Sequence, residues 1–220
     1  MKGKVSKNKF LKVVLPALLV VAIICQAVGF QAVLAKGNVA STSSDSISNL
    51  TDQQLQALTN PILQSYKADS SHKVWKMTND SRLAVLANQT NIENARLQEV
   101  VKLVNSEFVE KEIISSPLAM VYAQEKDVSY GDILIDIDQT SSITSSSNSK
   151  EAYKITIGEN GVRLTGASEN AIMHGLRTIQ NLIITNDGLV YGEIVDYPNV
   201  AERRVHVDCA RKYISKDWFI

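Results

Sequence analysis

Little in this sequence invites disulfide, metal or polyanion chemistry. It holds two cysteines and three histidines among 220 residues. Cys25 falls inside an uncharged run near the amino terminus, so Cys209 stands alone in the region expected to fold and no internal disulfide can form there. No neighbouring sequence argues for activation of Cys209. On the apolar side of an alternating segment it reads as a small buried hydrophobe. His72, His174 and His206 are scattered without zinc-type spacing, so they read as structural, and neither a metal nor an organic cofactor is expected. Twenty-three basic residues balance 23 acidic ones, which removes the bulk attraction that a nucleic-acid binder would use. Nucleic acid is not an expected partner; a neutral ligand fits the charge better.

The balance conceals a split. Lys2, Lys4, Lys7, Lys9 and Lys12 all precede the first acidic residue, Asp45, and an uncharged run from Val13 to Ala35 follows them. A charged start followed by an apolar stretch, with Val33 and Ala35 acceptable to a signal peptidase, is the pattern of an export signal cut after Ala35. The competing reading is an uncleaved anchor, because 23 uncharged residues suffice to span a bilayer. Residues 1–35 are thus expected to be a signal peptide or membrane anchor, and the only membrane contact expected is through that segment. Residues 36–50 form a polar linker, and the folded part is expected to be secreted or at the cell surface.

Beyond the linker, Thr51 and Gln54 have capping-box spacing and open a short helix interrupted near Pro61. "HKVWKMTND" and "SRLAVLAN" read as short strands. Thr90 and Glu93 form a second apparent capping box, ahead of a helix whose Leu97, Val100, Val101, Val104 and Phe108 recur on one face. "GDILIDID" is a compact strand; its Asp136 and Asp138, two apart, share one face and are expected to be solvated. A serine-rich loop follows. "AYKITIGENGVRLTG" is the clearest hairpin, turning at Glu159-Asn160-Gly161. Ser168 then caps a helix buried through Ile172, Leu176, Ile179 and Ile183, with Gly175 permitting a close neighbour. "LVYGEIVDYPNV" reads as a last strand and a proline turn. The fold class expected is α+β, an accessory α/β layer domain with an antiparallel sheet and helices on one face.

The end of the chain alternates apolar Val205, Val207 and Cys209 with polar Arg204, His206 and Asp208, a strand pattern with nothing obvious to pair with. Three stretches in order, "YKITIGENGVRLTGAS", "AIMHGLRTIQNLI" and "IVDYPNVAERRVHVDCARKYISKDWF", resemble family-20 glycoside hydrolases, the β-N-acetylhexosaminidases and lacto-N-biosidases. The helix resembles the family's "GxxTLxQL" segment through Gly175, Thr178, Ile179, Gln180 and Leu182. The last stretch is similar to its "D-x-P…R-G-x-x-L-D-x-x-R" pattern through Asp196, Pro198, Arg203, Asp208 and Arg211, with Arg204 where most members have Gly.

The resemblance implies an accessory domain over residues 51–198, and over 199–220 the start of a catalytic (β/α)8 barrel, truncated after its first strand. It also implies a partner: a glycan or oligosaccharide with a terminal β-linked N-acetylhexosamine, cleaved with retention by the substrate's own acetamido oxygen. The family's catalytic Asp-Glu pair would lie beyond Ile220, so no catalytic residue is assigned and the chain alone is expected to be inactive. Arg203 matches the family arginine that hydrogen-bonds the terminal sugar's hydroxyls, and it is the substrate-binding candidate. The alternative for Arg203 is a structural salt bridge at the domain junction. Asp208 and Arg211 read as an ion pair or loop clamp. Two other functions stay open: lacto-N-biosidase activity, and a secreted carbohydrate-associated module without turnover.

Overall fold

Thr51 and Gln54 close on each other as the capping box requires. Gln54 N–H donates to Thr51 Oγ1 at 3.4 Å and Thr51 N–H donates to Gln54 Oε1 at 2.9 Å, starting helix α1 (Asp52–Gln56). The computed structural model describes residues 47–139, 143, 149–200 and 202–204, all within a unit running from Ser41 to Ile220. The expected export segment, Cys209, Asp208, Arg211 and the expected barrel strand lie outside the described residues.

The second expected capping box does not form. Asn88 instead caps a single turn, α2 (Gln89–Ile92), by accepting Asn91 N–H at 2.8 Å, and Asn94 caps α3 (Ala95–Glu110) by accepting Leu97 N–H at 2.9 Å. An Asn carbonyl reaches the same orphan amides as a Thr hydroxyl, and Glu93 is drawn away to Gln89 Nε2 at 3.0 Å. Downstream the apolar stripe behaves as its spacing predicts: Leu97, Val100, Val101, Val104 and Phe108 are all buried. Full burial of a side chain such as Phe108 contributes about 2–3 kcal/mol.

Among the described residues nine strands follow in chain order: β1 (Ser65–Ala68), β2 (Val74–Trp75), β3 (Arg82–Leu86), β4 (Ala119–Ala123), β5 (Ile133–Ile137), β6 (Tyr153–Gly158), β7 (Gly161–Gly166), β8 (Leu189–Val190) and β9 (Gly192–Asp196). Seven of them form one sheet in the order β1-β9-β6-β7-β5-β3-β4, while β2 and β8 make a separate antiparallel ribbon. The expected antiparallel sheet is in fact mixed. β3, β4, β5 and β7 run parallel, and only β1, β9, β6 and β7 alternate in direction. The reason is connectivity: β3 returns as β4 only after α3, a crossover long enough to reverse the chain twice.

Helix α4 (Glu169–Asn186) begins at Ser168, whose Oγ accepts Ala171 N–H at 3.3 Å. Both long helices lie against the same face of the sheet. Leu83, Val85, Ile133, Ile135, Ile155, Ile157, Leu164 and Ile194 join the α3 stripe and Ile172, Leu176 and Ile179 of α4 in one core, with Ile183 half-buried at its rim. Side chains alternate across a strand, so the opposite face carries a register row of Lys67, Glu193, Thr156, Arg163, Leu134, Ala84 and Val121.

Two further expectations are corrected. "LVYGEIVD" holds two strands, β8 and β9, because Gly192 at φ 149° turns the chain where a Cβ would lie 2.1 Å from the Lys67 carbonyl oxygen. Asp136 is buried, not solvated: it accepts from Asn88 Nδ2 at 3.2 Å, Asn91 Nδ2 at 3.0 Å and Arg163 Nη2 at 3.3 Å. The loop bearing α2 folds over that end of β5 and supplies the two amides.

Candidate functional site

Where β6 begins, β9 ends and α4 starts, polar side chains from separate segments converge on the chain that leads to Arg203. The antiparallel pairing of β6 with β9 places Tyr153 opposite Asp196. Tyr153 Oη donates to Asp196 Oδ2 at 2.8 Å and lies 2.6 Å from Thr178 Oγ1 of α4. Burial, and then the Asp196 carboxylate, hold the Tyr153 phenol well above its ordinary range, so it stays a donor. Gln64, just before β1, completes the clamp. Its N–H donates to Asp196 Oδ1 at 3.2 Å, and its Nε2 donates to the Tyr197 carbonyl at 3.3 Å and to Asn199 Oδ1 at 2.8 Å. The last residue of β9 and two positions just past it, Tyr197 and Asn199, are thereby tied to Gln64.

Arg203 stands beyond this clamp. Its Nη1 donates to the Val200 carbonyl at 3.0 Å and its Nη2 to Glu151 Oε2 at 2.5 Å. Half of the Arg203 side chain is exposed, against 28% for Glu151. The turn carrying Glu151 is fixed in its own right: Glu151 N–H donates to Ser149 Oγ at 3.1 Å, and Ser168, the α4 cap, donates its hydroxyl to the Lys150 carbonyl at 2.6 Å. His174 Nε2 lies 4.0 Å from the second Glu151 oxygen. Burial lowers the His174 pKa despite Glu151, and Arg203 and Arg177 push the same way. At neutral pH the histidine is therefore uncharged, and Glu151 has Arg203 as its cationic partner.

The geometry brings Arg203 together with Glu151 and His174, two residues that no sequence motif singled out for function. Glu151 sits at the end of a serine-rich loop, where nothing in the local pattern marks one acid among several. On the other face of the sheet, a depression of about 680 Å³ is lined by Leu134, Thr156, Asn160 and Arg163 among others, but Arg163 is already paired with Glu125 and Asp136. Among the described residues no buried side-chain polar atom lacks a partner, and no group of three or more His, Cys, Asp or Glu is placed to hold a metal ion. No helix among them is long and apolar enough to cross a membrane.

Residues 59–197 match the family model described as glycosyl hydrolase family 20, domain 2, which is more than half of the chain. The chain belongs to glycosyl hydrolase family 20. Its fold is similar to that of Flavobacterium johnsoniae chitobiase, at TM-score 0.57 and 16% identity over 76% of this chain and 24% of that one. It is also similar to the β-N-acetylhexosaminidase of Streptomyces coelicolor A3(2), at TM-score 0.51 and 17% identity over 71% of this chain and 30% of that one. The family-20 chain thus spans less than a third of the length of either solved relative. No curated protein sequence matches it. The family match stops one residue after Asp196, so the clamp closes at the boundary of domain 2 and Arg203 follows six residues later.

Proposed function

We propose that this chain is the amino-terminal part of an exported glycoside hydrolase that removes terminal β-linked N-acetylhexosamine from glycans. Arg203 is its sugar-binding contribution, and residues 199–220 open the catalytic barrel. The observation that carries the reading is the family match over residues 59–197 followed by Arg203 in the motif "DYPNVAERRVHVDCAR". A planar guanidinium that stays charged at every working pH is suited to vicinal hydroxyls, because its donors lie in a fixed fork. Hydrolysis would proceed by the substrate-assisted retaining route, in which the 2-acetamido oxygen attacks the anomeric carbon in place of an enzyme carboxylate. Domain 2 would contribute no acid or base to that reaction. Its role would be to hold the start of the barrel through Gln64, Tyr153 and Asp196.

The test is hydrolysis by the product of the full reading frame containing this chain, assayed on a chromogenic β-N-acetylglucosaminide and on a lacto-N-bioside. Saturable release from the first supports the hexosaminidase reading, and release from the second alone assigns the lacto-N-biosidase branch. Turnover of neither leaves a carbohydrate-associated module. The 220-residue polypeptide assayed alone is expected to be silent.

A further inference from the structure

Glu151 belongs to none of the motifs that point to function, yet it makes the one side-chain ion pair found for Arg203 among the described residues. We propose that Glu151 is a positioning residue, setting the guanidinium of Arg203 so that its free edge meets the terminal sugar. This rests on the reading that Arg203 contacts that sugar. Two of the five guanidinium donors are engaged by the described contacts, one by Glu151 and one by the Val200 carbonyl. Among the described residues no further partner is found for the remaining donors, and on this proposal they meet the ligand.

The two ends of Arg203 are held by different devices. The main chain leading to it is tied down by Gln64 and Tyr153 through Asp196, Tyr197 and Asn199. Its side chain, long and rotatable, is fixed by Glu151, whose own turn is pinned to the cap of α4 through Ser168 and Lys150. A half-exposed ion pair contributes little to stability because water screens it. Orientation is where such a pair has leverage: misplacing a contact group by about 1 Å can cost about 100-fold in rate. Uncharged His174 on the far side of Glu151 does not compete for the carboxylate.

The experiment is a double-mutant cycle in the full-length enzyme on the chromogenic β-N-acetylglucosaminide, with Tm measured for every variant. Glu151→Ala is expected to lower kcat/KM roughly 10-fold, mainly through KM, while Tm stays within about 2 °C of the parent. Glu151→Gln, which keeps the volume and one acceptor, is expected to fall between the two. The Glu151→Ala, Arg203→Ala double variant is expected to be no worse than Arg203→Ala alone, because Glu151 acts only through Arg203. Additive losses, or unchanged kcat/KM in Glu151→Ala beside a crippled Arg203→Ala, overturn the positioning role. Wild-type kcat/KM in Arg203→Ala overturns the sugar contact itself, and the positioning role with it.

Discussion

Tyr153 and Asp196 are directly opposed across β6 and β9, joined by a 2.8 Å hydrogen bond that Thr178 of α4 extends by a further 2.6 Å contact. This contact joins hairpin, last strand and α4 in one polar network. It lies at the end of the match to domain 2. A phenol kept protonated by burial serves as a permanent donor to a carboxylate there, which fixes where the chain leaves the sheet.

Tyr153→Phe removes that donor and leaves the Asp196 carboxylate short of one hydrogen bond. The expected cost is about 1–2 kcal/mol, read as a lower midpoint in urea denaturation. Thr178→Val, which deletes the smaller half of the network, is expected to cost less.

Asp132 provides a pH signature. Burial by itself would raise its pKa, but the Arg82 guanidinium and the Ser129 amide and hydroxyl outweigh burial and hold it at about 2. The folded value is depressed below the ordinary 3.8, so the stabilisation is fully present above that value and is lost as pH falls from there towards 2. Asp132→Asn is expected to be less stable than the parent at pH 6, with the gap between the two narrowing through that acid window. A gap that stays constant from pH 6 down to about 2 would refute this assignment.

Gly175 sits where α4 crosses the sheet. A Cβ there would lie 2.3 Å from Leu164 Cδ1 and 3.2 Å from the Tyr153 ring, and both side chains are buried. Gly175→Ala is therefore expected to destabilise by about 1–3 kcal/mol through overpacking, against the usual gain from replacing a helical glycine.

The parts of the fold that showed in the sequence are those whose signals are local. Glu159-Asn160-Gly161 announces its hairpin because Gly161 takes φ 91°, and the α3 and α4 stripes have the period of a buried face. β1 and β4 went unread. "SYKA" is too short to show alternation, and "AMVYA" is apolar throughout, so neither gives a periodic signal. Strand direction was illegible for a different reason: parallel pairing is decided by where α3 delivers the chain, which no window of residues encodes. Asp136 was misread because the amides that bury it, from Asn88 and Asn91, lie more than 40 residues away in sequence. Arg203 is singled out only by resemblance to the family motif, whereas its ion-pair partner Glu151 became visible only once β6, β9 and α4 were placed together.

The most direct test of the proposed sugar contact is kcat/KM of Arg203→Ala in the product of the full reading frame, assayed on a β-N-acetylglucosaminide alongside its Tm. Loss of charged hydrogen bonds to the sugar is expected to reduce kcat/KM by roughly 100-fold or more with Tm almost unchanged. Wild-type kcat/KM, or a loss fully accounted for by unfolding, would contradict the assignment of Arg203 to the sugar and leave it as a salt bridge at the edge of domain 2.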